Sequence, residues 1–147
     1  YIKTNGVAYP ACLEYKNNLT NKSKLFTGIA SLLNKLDEIS IPYGIVTNKP
    51  FDYAEPLINY FDDLKNCRTL ICPDHLQNSK PSPEGILLAC KKIGVDPKES
   101  VYIGDHPNDL VAGKNAGTKT IVVSSGIQYI YVYVPVDDFS QEVTCLA

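Results

Sequence analysis

Four short strand-like runs, Ile41 to Val46, Arg68 to Cys72, Ser100 to Ile103 and Lys119 to Val123, are separated by stretches of helical periodicity. The first runs apolar on both faces into the polar Thr47-Asn48-Lys49, and a strand of that kind must be covered on both sides. The connections between runs are too long for hairpins and suit right-handed crossovers. This alternation predicts an α/β fold: a parallel sheet with flanking helices. Thr27 is a candidate N-cap for a helix whose apolar face is Ile29, Leu32, Leu33, Leu36 and Ile39. A second helix is expected from Phe51 to Tyr60. In the third, Ser82 caps, Pro83 sits in the first turn, the face is Ile86, Leu87, Cys90 and Ile93, and Gly94 stops it. The fourth contains Leu110, Val111 and Lys114 to Ala116 and is closed by Gly117. Tyr1 to Asn21 is polar, with weak apolar spacing that suits one helix and a linker. Near the other end, Tyr129 to Val134 alternates like an edge or antiparallel strand.

At 147 residues and 44% hydrophobic content the chain can bury one ordinary core. A formal charge of −2, from 14 basic and 16 acidic residues intermixed, provides no basic stripe for nucleic acid or for an anionic membrane. No apolar run approaches the length of a membrane span. The five cysteines, Cys12, Cys67, Cys72, Cys90 and Cys145, lack the close pairing of a zinc site or a disulfide scaffold, so a reducing, cytoplasmic compartment is expected. The sequence contains no methionine and begins at Tyr1, and is read as lacking a segment at its front. Oligomeric state is not legible.

In an open parallel sheet, ligands gather outside the carboxyl ends of the strands. Thr47 and Asn48 end one run, Asp105 and Asp109 follow another, and Lys80 leads into a helix after a third. A hydroxyl, an ammonium and two carboxylates are the groups a magnesium-bound phosphate ester requires: donors for its oxygens, a cation for its charge and hard oxygen ligands for the metal. Each residue also has a plainer reading. Thr47 could serve a turn, Lys80 could be solvated, Asp105 could turn the chain and Asp109 could cap a helix. His106 reads as a hydrogen-bonding neighbour of the carboxylate rather than as a ligand or base, and His75 has no evident partner.

Three ordered segments carry a resemblance. Ile45-Val46-Thr47-Asn48-Lys49-Pro50, then Ser79-Lys80-Pro81-Ser82-Pro83, then Tyr102-Ile103-Gly104-Asp105 with Asn108-Asp109 and Ala116-Gly117, resemble motifs II, III and IV of the haloacid dehalogenase superfamily. The likeness covers about Leu25 to Gly126 and is nearest to the phosphoglycolate phosphatase group. It implies a Rossmann-like core and a Mg²⁺-dependent phosphatase acting on a small phosphorylated substrate. In that reading Thr47 and Asn48 bind the phosphoryl group, Lys80 neutralises its charge and orients the nucleophile, Asp105 ligates Mg²⁺, and Asp109 serves the metal site, by holding a metal-bound water or by supporting the residues around it. Pyrophosphate is an alternative substrate, because Ala112 to Thr118 also resembles a pyrophosphatase branch.

The chain departs from the family at motif I. No D-x-D occurs in it, so the attacking aspartate and the acid/base two residues later are absent. The family order puts that strand between those ending at Thr47 and Asp105, so two edges are expected to lie open. Tyr1 to Lys24 is then expected to be the end of a helical cap and its linker, and residues 25–147 the core. The alternative is a non-catalytic phosphate- or metal-binding module.

Overall fold

The computed structural model describes residues 18–21, 23–123 and 133–135. Helix α1 (Ile29–Glu38) leads to β1 (Ile45–Val46); α2 (Phe51–Tyr60) and a 3-10 turn at Asp62–Leu64 lead to β2 (Leu70–Ile71). A second 3-10 turn, Pro73–His75, opens the loop to α3 (Glu84–Ile93), and a third, Pro97–Glu99, precedes β3 (Ser100–Gly104). Then come α4 (Pro107–Ala116), β4 (Lys119–Val122) and β5 (Tyr133–Pro135). Strands β1 and β2 pair in parallel, as do β3 and β4. The α/β architecture expected from the sequence is therefore present.

The first ladder is shorter than its apolar run. Only Ile45 and Val46 form β1, although pairing with the neighbouring segment begins at Tyr43. That pairing frames the strand on both sides: Arg68 N donates to Tyr43 O at 2.9 Å, and Thr47 N donates to Ile71 O at 2.9 Å. Thr47 thus leaves the sheet with its backbone fixed.

Consecutive residues of a strand point to opposite faces, and β1 divides the core accordingly. Ile45 joins Leu33, Leu36, Tyr43 and Leu64 on one side. Val46 joins Ile71, Ile86, Ala89, Cys90 and Tyr102 on the other. Burial of Cys90 agrees with its reading as a small hydrophobe.

Several helical details differ from expectation. Gly28, at a φ of 90°, occupies the N-cap of α1, so Thr27 does not cap it. Ile39 lies just past the last turn and is exposed. Helix α3 begins at Glu84, with Pro83 one position before it; Ser82 Oγ still accepts from Glu84 N at 3.3 Å. Leu87 faces outward, as do Leu110 and Val111 of α4, while Gly85, Ala89, Ala112 and Gly113 are buried. Small residues let these helices lie close against the sheet, which turns the larger neighbouring side chains to solvent. Gly94 and Gly117 end α3 and α4 at φ of 84° and 81°, as expected.

The expectation of two open edges is corrected at β3. On the edge opposite β4, β3 pairs antiparallel with β5, Val101 opposite Val134 and Tyr102 opposite Tyr133. A central strand's backbone groups need partners, and the alternating tail provides them. Among the described residues β1 pairs with β2 alone. Of the expected Tyr129 to Val134 strand, residues 129–132 lie outside the described residues, as does most of the polar opening segment.

Candidate active site

Lys80 is where the two sheets meet. Its loop carries the ammonium inward, and Nζ donates to Val46 O at the end of β1 (3.2 Å) and to the hydroxyl of Tyr102 in β3 (3.2 Å). Its third partner is Asp109 Oδ1, at 2.8 Å. The two charged side chains are only 3% and 1% exposed, so this is a buried ion pair and not a surface one. Burial pulls the Lys80 pKa down, opposed by its hydrogen bond and attraction to Asp109 and by the negative charge of Asp105. The expected solvated alternative for Lys80 is thereby excluded.

Asp109 is held by every element around it. Oδ1 accepts from Lys80 and from Tyr102 Oη (3.0 Å), and Oδ2 accepts from His106 N (3.1 Å). That last bond is half of a capping box at the start of α4; His106 Nδ1 closes the other half by accepting from Asn108 N at 3.1 Å. Asp109 therefore caps a helix and pairs with Lys80 at once. His106 reaches the Asp109 carboxylate through its backbone N–H, while its imidazole accepts from Asn108 N.

Glycine at position 104 makes this approach possible. A Cβ there would lie 2.4 Å from Asp109 Cβ and 2.7 Å from its Cγ. Only a residue without a side chain lets α4 bring Asp109 down against the end of β3. Asp105, the next residue, is half-buried at the strand's mouth.

Thr47 is buried, and its Oγ1 accepts from Lys49 N at 3.1 Å, so it shapes the turn at the end of β1 as well as standing at the rim. Asn48 is exposed; its Nδ2 donates to Lys80 O at 3.2 Å and ties the β1 turn to the lysine loop. Supporting residues that sequence reasoning missed hold that loop. Glu84 accepts from Gln77 N (2.8 Å) and Asn78 N (2.9 Å), which lowers its pKa. Asp74 accepts from Phe51 N at 2.8 Å, and His75 Nδ1 from Cys72 N at 3.1 Å. Carboxylates just before and after a polar loop were the available signal. Tyr102 was read only as part of a buried strand, and its hydroxyl was the missed clue.

Among the described residues no cluster of three or more His, Cys, Asp or Glu side chains converges as a metal cage. Mg²⁺ commonly takes only one or two protein carboxylates and fills its octahedron with water and phosphate oxygens. Asp105 suits such a site as a hard oxygen donor at a strand end. Both oxygens of Asp109 already accept protein hydrogen bonds. A cavity of about 430 Å³, lined in part by Phe51, Glu55, Asn59, Lys65 and Cys67, includes none of Thr47, Lys80, Asp105 or Asp109. Converging charge marks the candidate site among the described residues.

Comparison with known proteins bears on this arrangement. Residues 4–123 match the family described as haloacid dehalogenase-like hydrolase. Over 112 residues the chain is 41% identical to N-acetylmuramic acid 6-phosphate phosphatase of Pseudomonas putida, covering 76% of this chain and 50% of that protein. Over 117 residues it is 36% identical to phosphoglycolate phosphatase of Escherichia coli K12, covering 80% of this chain and 45% of that one. The crystal structure of a predicted phosphoglycolate phosphatase from Haemophilus somnus 129PT superposes with a TM-score of 0.71 at 28% identity, over 76% of this chain and 50% of its own. The chain thus spans about half the length of the curated relatives it matches.

Proposed function

The chain belongs to the haloacid dehalogenase-like hydrolase family, and from that premise we propose that the whole protein is a Mg²⁺-dependent phosphatase of small phosphosugar or phosphoglycolate-type monoesters. The observation that carries the reading is the buried Lys80–Asp109 pair set between Thr47 at the end of β1 and Asp105 at the end of β3. Lys80 presents positive charge where a phosphoryl group would lie, and its low exposure makes that charge more effective than it would be in water. Thr47 and Asn48 supply hydrogen-bond donors beside it. Asp109 fixes the ammonium, and Asp105 is the residue of this chain that would hold Mg²⁺. The ion, when bound, would offset the phosphate's charge and help orient its oxygens.

This chain contains no D-x-D, so the aspartate that would form an aspartyl-phosphate, and the one that would protonate the leaving group, belong to a part of the whole protein outside it. In this reading residues 1–24 end a helical cap and residues 25–147 form the hydrolase core. No nucleic acid or membrane partner is needed. Among the described residues no helix is long and apolar enough to cross a membrane.

The test is phosphate release from a generic aryl phosphate by the whole protein, with and without Mg²⁺. Magnesium-dependent turnover is expected, followed by a preference for phosphoglycolate or a sugar phosphate over pyrophosphate. Absent or metal-independent turnover would overturn the reading. The 147-residue chain by itself is expected to release no phosphate.

A further inference from the structure

We propose that Tyr102 is a positioning residue for Lys80, its phenol closing a three-membered ring of hydrogen bonds that fixes where the ammonium points. A lysine ammonium has three donors and rotates freely about its last bond unless they are matched. Here three acceptors surround it: Val46 O at 3.2 Å, Tyr102 Oη at 3.2 Å and Asp109 Oδ1 at 2.8 Å. Of these, the Tyr102 hydroxyl is the one that also bonds the carboxylate partner of the ammonium. The Tyr102 hydroxyl accepts a hydrogen bond from Nζ and donates one to Asp109 Oδ1 at 3.0 Å, so the same phenol holds both members of the ion pair.

The ring is itself held still. Tyr102 is 1% exposed and sits at the centre of the Val46 core. Helix α4 presses on it so closely that a Cβ on Gly113 would lie 3.1 Å from Tyr102 Cδ1 and 2.4 Å from Thr120 Oγ1. The Lys80 ammonium lies 5.9 Å from the ring centroid, off its rim, where the hydroxyl and not the π face is the main contact. A phenylalanine would serve the packing equally well, so the hydroxyl is the part of this residue that the core does not require.

The catalytic half of this proposal rests on the phosphatase reading; the positioning half does not. The first measurement is ¹H–¹⁵N detection of lysine ammonium groups in the whole protein, with Lys80→Arg identifying the signal. Wild-type Lys80 should give a slowly exchanging ammonium resonance. Tyr102→Phe should shift it and speed its exchange with water by about tenfold, the effect of one lost hydrogen bond. If that variant does not fold, 3-fluorotyrosine at position 102 keeps the hydroxyl, changes its acidity and must still move the Lys80 signal. An unmoved signal in the folded variant overturns the proposal whatever the enzyme does.

The second measurement is turnover by the whole protein. Tyr102→Phe should lower kcat by about tenfold and leave KM within about twofold, because a displaced ammonium changes the field at the developing charge more than it changes substrate binding. A moved signal with unchanged kcat in an active protein would overturn the catalytic half. A moved signal in a protein whose wild type releases no phosphate would uphold the positioning and overturn the phosphatase reading instead.

Discussion

The two halves of the core, divided by the alternation of Ile45 and Val46, are built by different rules. On the Ile45 side, Leu33, Leu36 and Leu64 surround Tyr43, and the one buried polar atom of that aromatic, its hydroxyl, donates to Asp63 O at 3.1 Å. On the Val46 side, Ile71, Ile86 and Ala89 surround Tyr102, whose hydroxyl instead joins two buried charges. Each half buries a tyrosine, but one ends in a backbone carbonyl and the other in an ion pair. A hydrophobic core tolerates exchange of similar volumes, whereas a buried pair tolerates loss of neither partner. The Val46 side should therefore couple stability to function, and the Ile45 side should affect stability alone.

The largest expected effect removes the pair's negative member. Asp109→Asn keeps the shape but leaves Lys80 buried without its counter-charge, and should cost about 3–5 kcal/mol in urea unfolding. A loss below about 1 kcal/mol would mean that Lys80 reaches water and that the two core halves do not differ in kind. On the opposite side, Leu33→Ala removes a fully buried side chain and should cost about 2–5 kcal/mol by the same measurement. Its distinguishing outcome is an unmoved Lys80 ammonium resonance. A shift there would couple the halves and break the comparison.

A smaller effect is expected from Gly104→Ala, on the Val46 side. The added carbon would stand 2.4 Å from Asp109 Cβ, so either α4 retreats or the strand end bends. Overpacking of this kind costs about 1–3 kcal/mol. Unlike Leu33→Ala, it should perturb the Lys80 resonance out of proportion to its stability loss. Equal stability with an undisturbed resonance would show that α4 is not tightly seated.

These contrasts explain what could and could not be read from the sequence. Helix Phe51–Tyr60 was legible with its bounds because Pro50 precedes it and a polar 3-10 turn follows it. The expected face of α3 holds at Ile86 and Cys90 and fails at Leu87, which is exposed; Gly85 and Ala89 there, and Ala112 and Gly113 in α4, are buried although they carry little hydrophobic signal. The residue types at the site were legible, because Lys80, Asp105 and Asp109 stand beside breaks in an apolar pattern. Their pairing was not: nothing local tells a lysine in one loop that its partner caps a distant helix through a tyrosine in a strand. The pairing of β5 with β3 depended likewise on an unmet backbone edge, a property of the assembled sheet and not of either segment.

The subtlest prediction concerns Tyr43 and appears only in alkali. Burial first, and then the negative charges of Asp37, Cys67 and Asp63, raise its pKa to about 12 from the ordinary 10.0. A raised pKa means that the folded state favours the neutral phenol. Its contribution is thus complete below pH 10, where the phenol is protonated in both states. Between pH 10 and about 12 the unfolded chain ionises Tyr43 first and binds fewer protons than the folded one, so stability falls as pH rises. Tyr43→Phe removes this source of slope and, at neutral pH, only the hydrogen bond to Asp63 O, a loss of about 1 kcal/mol. Urea unfolding at pH 9 and pH 11 should therefore show a smaller drop for Tyr43→Phe than for the wild type, with other groups cancelling in the difference. Equal drops would show that Tyr43 ionises in the folded chain as readily as in the unfolded one, and that the Ile45 half is wetter than its packing implies.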